Sequence, residues 1–401
     1  MTLISKVGTF TLNTASGPQS IVGVGFQPDY VIFLTGGATA LDTFEPDSSM
    51  SIGDSRNRFS ACFMDDGSAT ALQSTSWGEC IKTYNPGSRV SFSSYDADGF
   101  TISVNTAPAS GVKVSYFAMK GMAAFATGQK KWFRGDTATG EGGVLVTPYL
   151  GDIWWQFSTY GARFVDGRDE SFWTSMAVGW ATKALGDDKG VGSWAVGGSS
   201  TELTKYLANN RSMSVLDFYG RLTTMNTGWV MTHDGPVNSG LDGTYQWGMF
   251  DLSGPSQVAG AVTGAGKQPL APGVQTIKTG FQPKAVWFAT AAAATPNAQL
   301  ANPAFCFGVS DGVSNAAMFG AAERRGSPWN ANRYHSGNRC LLMGDHTDTI
   351  FASARCDITA NGFKLTWPLA DAVARDYVWM AFSNTDLVVP DPPVSMYFRA
   401  T

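Results

Sequence analysis

Few residues in this chain are equipped for acid–base chemistry. The histidines are His233, His335 and His346, and histidine is the usual general base. No Gly-x-Ser-x-Gly elbow presents a serine nucleophile, and no HExxH spacing offers zinc its ligands. Asp345-His346-Thr347-Asp348 is the densest polar cluster. It reads as a polar loop, with a metal half-site or triad fragment as the sharper alternative. Glu170, Glu202 and Asp217 could supply the paired carboxylates of a glycosidase, but almost any chain of this length offers as many. Asp65-Asp66-Gly67 and Asp96-Ala97-Asp98-Gly99 begin like calcium loops, yet neither continues to the glycine and glutamate an EF-hand requires. Turn formation is the plainer account of both. Cys62, Cys80, Cys306, Cys340 and Cys356 include no CxxC pair, so reduced, packed thiols are expected, as in a cytoplasm. No residue is therefore expected to be catalytic, to bind a cofactor or to ligate a metal.

Tryptophan is the better lead for binding. Of 13 in the chain, Trp132, Trp154, Trp155, Trp173, Trp180, Trp194, Trp229 and Trp247 crowd the middle third. Trp154, Trp155, Trp173 and Trp194 are the candidate contacts for a partner or for a host-surface glycan, on which exposed rings could stack. The competing reading makes them core and interface residues, because aromatics bury large areas and anchor contacts.

Composition sets the frame for these residues. At 401 residues the chain exceeds one ordinary core and suggests two or three domains. Apolar residues reach 43%, enough for real cores, while charged residues reach only 15% and glycine numbers 46. That is the balance of a turn-rich β-protein with an uncharged polar surface. The net charge of −4, without a Lys/Arg cluster, argues against a nucleic-acid partner. No secretion signal is read in residues 1–10, and no apolar run is long enough for a membrane helix.

Self-comparison finds a repeat. Gly25-Phe26-Gln27-Pro28-Asp29-Tyr30-Val31-Ile32-Phe33 returns as Gly280-Phe281-Gln282-Pro283-Lys284-Ala285-Val286-Trp287-Phe288. Asp98-Gly99-Phe100-Thr101-Ile102 returns as Asn361-Gly362-Phe363-Lys364-Leu365, and Tyr116-Phe117-Ala118-Met119 as Trp379-Met380-Ala381-Phe382. A weaker copy lies between them, with Asp152 to Phe157, Ala177-Val178-Gly179, Thr227-Gly228-Trp229 and Tyr245 to Phe250 at the matching places.

The copies read as β. Val31–Leu34 and Val286–Phe288 are short apolar runs after a proline, suited to doubly buried strands. Thr101–Val104 and Lys113–Tyr116 alternate as half-buried strands do, with Asn105–Gly111 between them as a hairpin-sized loop. Asp98-Gly99 and Asn361-Gly362 are turn dipeptides whose glycine favours positive φ. Glu202–Asn210 has helical spacing, and helix and non-helix stay open there. Gly121–Gly135 and Leu252–Pro272 read as linkers. The expected fold is thus all-β, with three tandem β-sandwich or jelly-roll-like modules at 1–122, 123–254 and 255–385. Their arrangement is open between closure around a pseudo-threefold axis and an elongated string. Residues 386–401 form an extended C-terminal arm stiffened by Pro390, Pro392 and Pro393, in which Val388, Val389, Met396, Tyr397 and Phe398 could dock on a neighbour or fold back on the third module.

The series Gly-Phe-Gln-Pro-x-x-Val-x-Phe, Asp/Asn-Gly-Phe, Tyr/Trp-x-Ala-x resembles a module of tailed-bacteriophage structural proteins, over residues 20–120 and 275–385. These are packing and turn residues, so the resemblance carries no catalytic residue across. It implies a non-catalytic virion protein, assembled in the host cytoplasm, whose partners are capsid or tail subunits. A receptor- or glycan-binding tail protein is the alternative it implies.

Overall fold

Beyond Pro28, whose ring cannot continue a helix, the run Tyr30–Thr35 is buried at every position. Such a run suits a strand covered on both faces. The computed structural model describes residues 3–46, 49–56, 59–65, 71–83, 87–122, 124–132, 145–146, 153–161, 173–182, 189–196, 204–209, 213–215, 218–225, 228–234, 242–251, 260–294, 304–322, 331–345 and 347–383. Of these, residues 46, 49, 59–65, 71–77, 322, 331 and 332, and all those between 124 and 251 except Val178–Trp180, are described by their backbone alone.

Among the described residues every regular element is a strand. The first stretch contains β1 (Ile4–Thr11), β2 (Gly17–Val22), β3 (Tyr30–Thr35), β4 (Phe44–Pro46), β5 (Ser49–Asp54), β6 (Phe59–Asp65), β7 (Ala71–Trp77), β8 (Ile81–Thr83), β9 (Ser88–Asp96), β10 (Gly99–Thr106) and β11 (Lys113–Lys120). The middle stretch contains β12 (Ala124–Trp132), β13 (Leu145–Val146), β14 (Ile153–Gly161), β15 (Trp173–Thr182), β16 (Lys189–Val196), β17 (Thr204–Asn209), β18 (Met213–Val215), β19 (Phe218–Met225), β20 (Gly228–Asp234) and β21 (Asp242–Asp251). The last contains β22 (Gly260–Lys267), β23 (Gly273–Lys278), β24 (Ala285–Thr290), β25 (Ala304–Ser310), β26 (Asn315–Ala322), β27 (Ala331–Ser336), β28 (Leu341–Gly344), β29 (Ile350–Thr359), β30 (Gly362–Leu369) and β31 (Asp376–Ser383).

The strands pair antiparallel into sandwich-like units, each with a large and a small sheet. The large sheets run β1-β11-β3-β5-β6-β7, β12-β21-β14-β15-β16-β17 and β22-β31-β24-β25-β26-β27-β4; the small ones run β2-β10-β9-β8, β13-β20-β19-β18 and β23-β30-β29-β28. With β4 set aside, one strand order recurs in all three.

Along the central strands, side chains alternate between two cores, as the pleat requires. In β3, Val31 and Phe33 face the first unit's own small sheet with Phe100 and Ile102, whereas Tyr30, Ile32 and Leu34 face the opposite way. In β24, Val286 and Phe288 join Phe363 and Leu365, whereas Ala285, Trp287 and Ala289 face the opposite way. Those opposite faces meet. One buried cluster holds Phe117 and Met119 of the first unit, Val178 and Trp180 of the second, and Trp287, Phe307 and Phe382 of the third. The Trp287 ring lies 5.9 Å from Phe117, 6.1 Å from Phe307 and 5.4 Å from Phe382, and Trp180 lies 6.4 Å from Phe307. Around this cluster β14 and β15 lie beside β6 and β7, β15 to β17 beside β22, β24, β25 and β31, and β26 beside β1, β3, β5 and β11.

Several sequence expectations are corrected. In Glu202–Asn210, where helix and non-helix stood open, Thr204–Asn209 is strand β17, paired to β16, so sheet pairing decides against the helical spacing. Both expected linkers hold a sheet strand, β12 in one and β22 in the other. The glycines of β22 have a packing cause: a Cβ at Gly264 would collide with the Trp379 ring, and one at Gly266 with Tyr377. Gly8 stands likewise against Tyr116. Aromatic rings that cover cross-strand glycines replace the missing side chains. The register places Gly8 opposite Tyr116, Gly128 opposite Trp247 and Gly264 opposite Trp379. Asn105–Gly111 is no hairpin, because β10 pairs with β2 and β9 while β11 pairs with β1 and β3. The loop crosses between sheets, which leaves β11 buried on both faces from Val114 to Met119.

The recurring anchors hold neighbouring strands of each small sheet together, β10 against β2 and β30 against β23. Gly99 and Gly362 have φ near 146° and 147°, and a Cβ there would strike the carbonyl of Ile21 or Ile277 on the neighbouring strand. Beside them, Val24 N donates to Asp98 O and Thr279 N to Asn361 O.

Candidate functional site: the junction of the first and third units

The segment between β3 and β5 leaves its own unit. Its strand β4 adds to the edge of β27, with Phe44 opposite Tyr334, Glu45 opposite Arg333 and Pro46 opposite Asn332. The Phe44 and Tyr334 rings are 5.0 Å apart and 62° inclined, an edge-to-face pairing. Just before β4, Asp42 takes a φ of 60°, which aspartate tolerates better than most residues. Its N–H donates to His335 O at 2.8 Å, and its carboxylate accepts from Ser336 Oγ at 2.6 Å. An edge strand exposes unpaired backbone groups, and this added segment covers those of β27.

The other side of β27 meets the first unit's large sheet. His335 is 0% exposed, and its Nε2 lies 2.8 Å from Ser115 Oγ on β11. Ser115 Oγ is in turn 3.0 Å from Thr9 Oγ1 on β1. Burial lowers the His335 pKa from 6.5 to about 4, against a smaller opposing effect of the Lys113 backbone. Its Nδ1 is buried without a hydrogen-bond partner among the described residues. A serine–histidine nucleophile needs access and a group orienting the second ring nitrogen; here Ser115 is also 0% exposed. Arranged so, the pair holds two sheets in register as neutral groups.

A third contact caps the edge of β1. Asp311, in the turn between β25 and β26, accepts from Val313 N at 2.8 Å and Ser314 N at 2.6 Å through Oδ1. Its Oδ2 accepts from Val7 N of β1 at 2.7 Å. Ser5 Oγ donates to Lys284 O at 2.5 Å. Nothing in the sequence announces these partners, which lie 279 and 304 residues apart in the last two bonds.

The residues singled out from sequence are placed as follows. Asp98 accepts from Gly25 N at 2.6 Å and Gly23 N at 3.1 Å, which commits its carboxylate to the turn. Asp96 accepts from Ser94 and Thr101. Asp345 Oδ1 accepts from Thr347 N and Oγ1, a local turn, and His346 lies outside the described residues. So do Asp66, Gly67, Glu170, Glu202 and Asp217. Among the described residues no group of three or more His, Cys, Asp or Glu is placed to hold a metal ion. Nor is there among them a helix long and apolar enough to cross a membrane. Trp154 and Trp155 lie on β14, Trp173 on β15 and Trp194 on β16, neighbouring strands of one sheet, with Trp155 opposite Trp180. The side chains of the first four are not described; Trp180 is fully buried in the shared cluster. Val388, Val389, Met396, Tyr397 and Phe398 lie outside the described residues. No protein-family model matches the chain, and no curated protein matches it.

Proposed function

We propose that the chain is a non-catalytic structural protein on the exterior of a tailed-phage virion, bridging capsid or tail subunits. In this reading it is three tandem modules, 1–122, 123–254 and 255–385, closed around a pseudo-threefold axis, with 386–401 as an arm. The observation that carries the reading is the buried cluster shared by all three large sheets, from Phe117 through Trp180 to Trp287. A body whose largest apolar faces are spent on each other is built for rigidity. The recurrence of one strand order and the successive contacts of β6–β7, β14–β17 and β26 support closure over a string of beads. The phage setting rests on the resemblance of the anchor series. Assembly in the host cytoplasm suits the buried thiols of Cys306, Cys340 and Cys356.

The test is localisation on purified particles with the chain tagged, together with particles made without it. The reading expects the tag on the exterior of the head or tail, and weakened particles when the chain is missing. Its absence from particles, or glycan hydrolysis by the purified chain, would remove the proposal. Blocking of host adsorption by the free protein would favour a receptor- or glycan-binding tail protein instead.

A further inference from the structure

One end of the third unit carries an apolar patch. Among the described residues the exposed large hydrophobics are Ile4, Val22, Leu270, Val274, Val313, Leu369 and Val373, and four of these belong to that end. Leu270 is 63% exposed, Val274 64%, Leu369 41% and Val373 47%. Gln268 ties the two loops that bear them: its Nε2 donates to Asp371 O at 3.0 Å and Val373 O at 2.7 Å, and its Oε1 accepts from Asp371 N. Opposite-charge pairs stand at the rim, Lys267 with Asp376 at 2.9 Å and Arg375 with Asp371 at 2.8 Å. An apolar centre with a polar rim is the anatomy of a protein–protein contact, and the corresponding loops of the first unit, 12–17 and 107–112, expose no large hydrophobic.

The occupant is argued from where the chain goes next. β31 starts at this end, at Asp376, and leaves it over eight residues to Ser383, a run of roughly 26 Å at strand rise. Leu387-Val388-Val389 follows four to six residues later, a reach of at most about 21 Å. It falls short of the patch on its own unit, and Pro390, Pro392 and Pro393 then favour continued extension. The segment after Ser383 therefore sets out from the end of the unit opposite the patch, which suits a head-to-tail contact between copies.

We infer that the apolar segment after Ser383 docks on the Leu270–Val373 patch of a second copy of this chain. The inference rests on the reading of the chain as an assembling structural protein and supplies its self-contact. Full-length variants test it by sedimentation velocity. Val388→Asp/Val389→Asp removes the donor, and Leu270→Ser/Val373→Ser removes the acceptor at exposed positions that leave the core intact. The wild-type chain is expected to self-associate with rising concentration. Each variant alone should bind itself at least about tenfold more weakly. A mixture of the two should form dimers and nothing larger, since it holds one working donor and one working acceptor per pair. A monomeric wild-type chain, or unimpaired association of either variant, overturns the inference. Self-association of this kind in a chain that never enters particles would leave the inference standing and remove the virion reading; the reverse result would remove only the inference.

Discussion

His335 Nε2 and Ser115 Oγ stand 2.8 Å apart although 220 residues separate them in the chain. The bond joins the third unit to the first inside a buried junction, so whatever charges the imidazole acts on the junction itself.

Acid should therefore loosen the molecule at this point. The folded-state pKa of His335 is about 4, below the unfolded value near 6.5, so the unfolded chain takes up the proton first. The stabilising contribution is complete above pH 6.5 and is lost as pH falls toward 4, to a total of about 3 kcal/mol. Urea denaturation of wild type and His335→Gln between pH 4 and 7 checks this: the stability difference between the two should narrow or reverse on acidification. Parallel curves would count against it.

Two classes of glycine should behave differently. At Gly99 and Gly362 a side chain meets both an unfavourable φ and the carbonyl of a neighbouring strand, so Gly99→Ala or Gly362→Ala should cost about 3 kcal/mol or more. Gly280 has a φ of 85° but nothing within 4 Å of a built Cβ, so Gly280→Ala should cost about 1 kcal/mol. Chemical denaturation of the three variants gives the ranking.

Truncation in the shared cluster should weaken more than one unit. Trp287→Ala removes the ring that meets Phe117, Phe307 and Phe382 and should cost about 3–5 kcal/mol. Hydrogen exchange should show lost protection in β11 as well as β24. A loss confined to the third unit would mean that the units are energetically independent.

The thiols of Cys80, Cys306, Cys340 and Cys356 should be silent to a thiol reagent in the native state. All are buried, and burial pushes the Cys306 pKa up to about 12, so thiolate is scarce as well as hidden. The five cysteines of the chain should all titrate after denaturation. Rapid native labelling of any of these four would contradict the packing.

What is legible in the sequence is what local residue types leave no choice about. Val31–Leu34 and Val286–Phe288 are apolar on consecutive positions after a proline, and each becomes a strand covered on both sides. Asp98-Gly99 is legible as a turn because Gly99 supplies the positive φ that a side chain would penalise. β22 is illegible for a physical reason: Gly264 and Gly266 look like linker composition until Trp379 and Tyr377 are known to lie over them. The span Lys113–Tyr116 reads as half-buried because the cover over Ser115 comes from His335 of the third unit. The junction is the least legible part, since Asp42, Ser115, Asp311 and His335 acquire meaning only as pairs distant in the chain. For the tryptophans of β14 to β16 the register shows adjacency, which their spacing in the sequence does not reveal.

The loan of Phe44–Pro46 to β27 also sets an order of events during synthesis. The lending strand leaves the ribosome well before its acceptor, roughly 280 residues later at about 5–20 residues per second, exists at all. For many seconds the early part of the chain must wait with an unmatched strip of backbone, and the last part emerges with a vacant border. Closing that gap is a long-range step of the slow kind, so the final seam of the nascent protein, rather than any single sandwich, is where chaperones would find their grip.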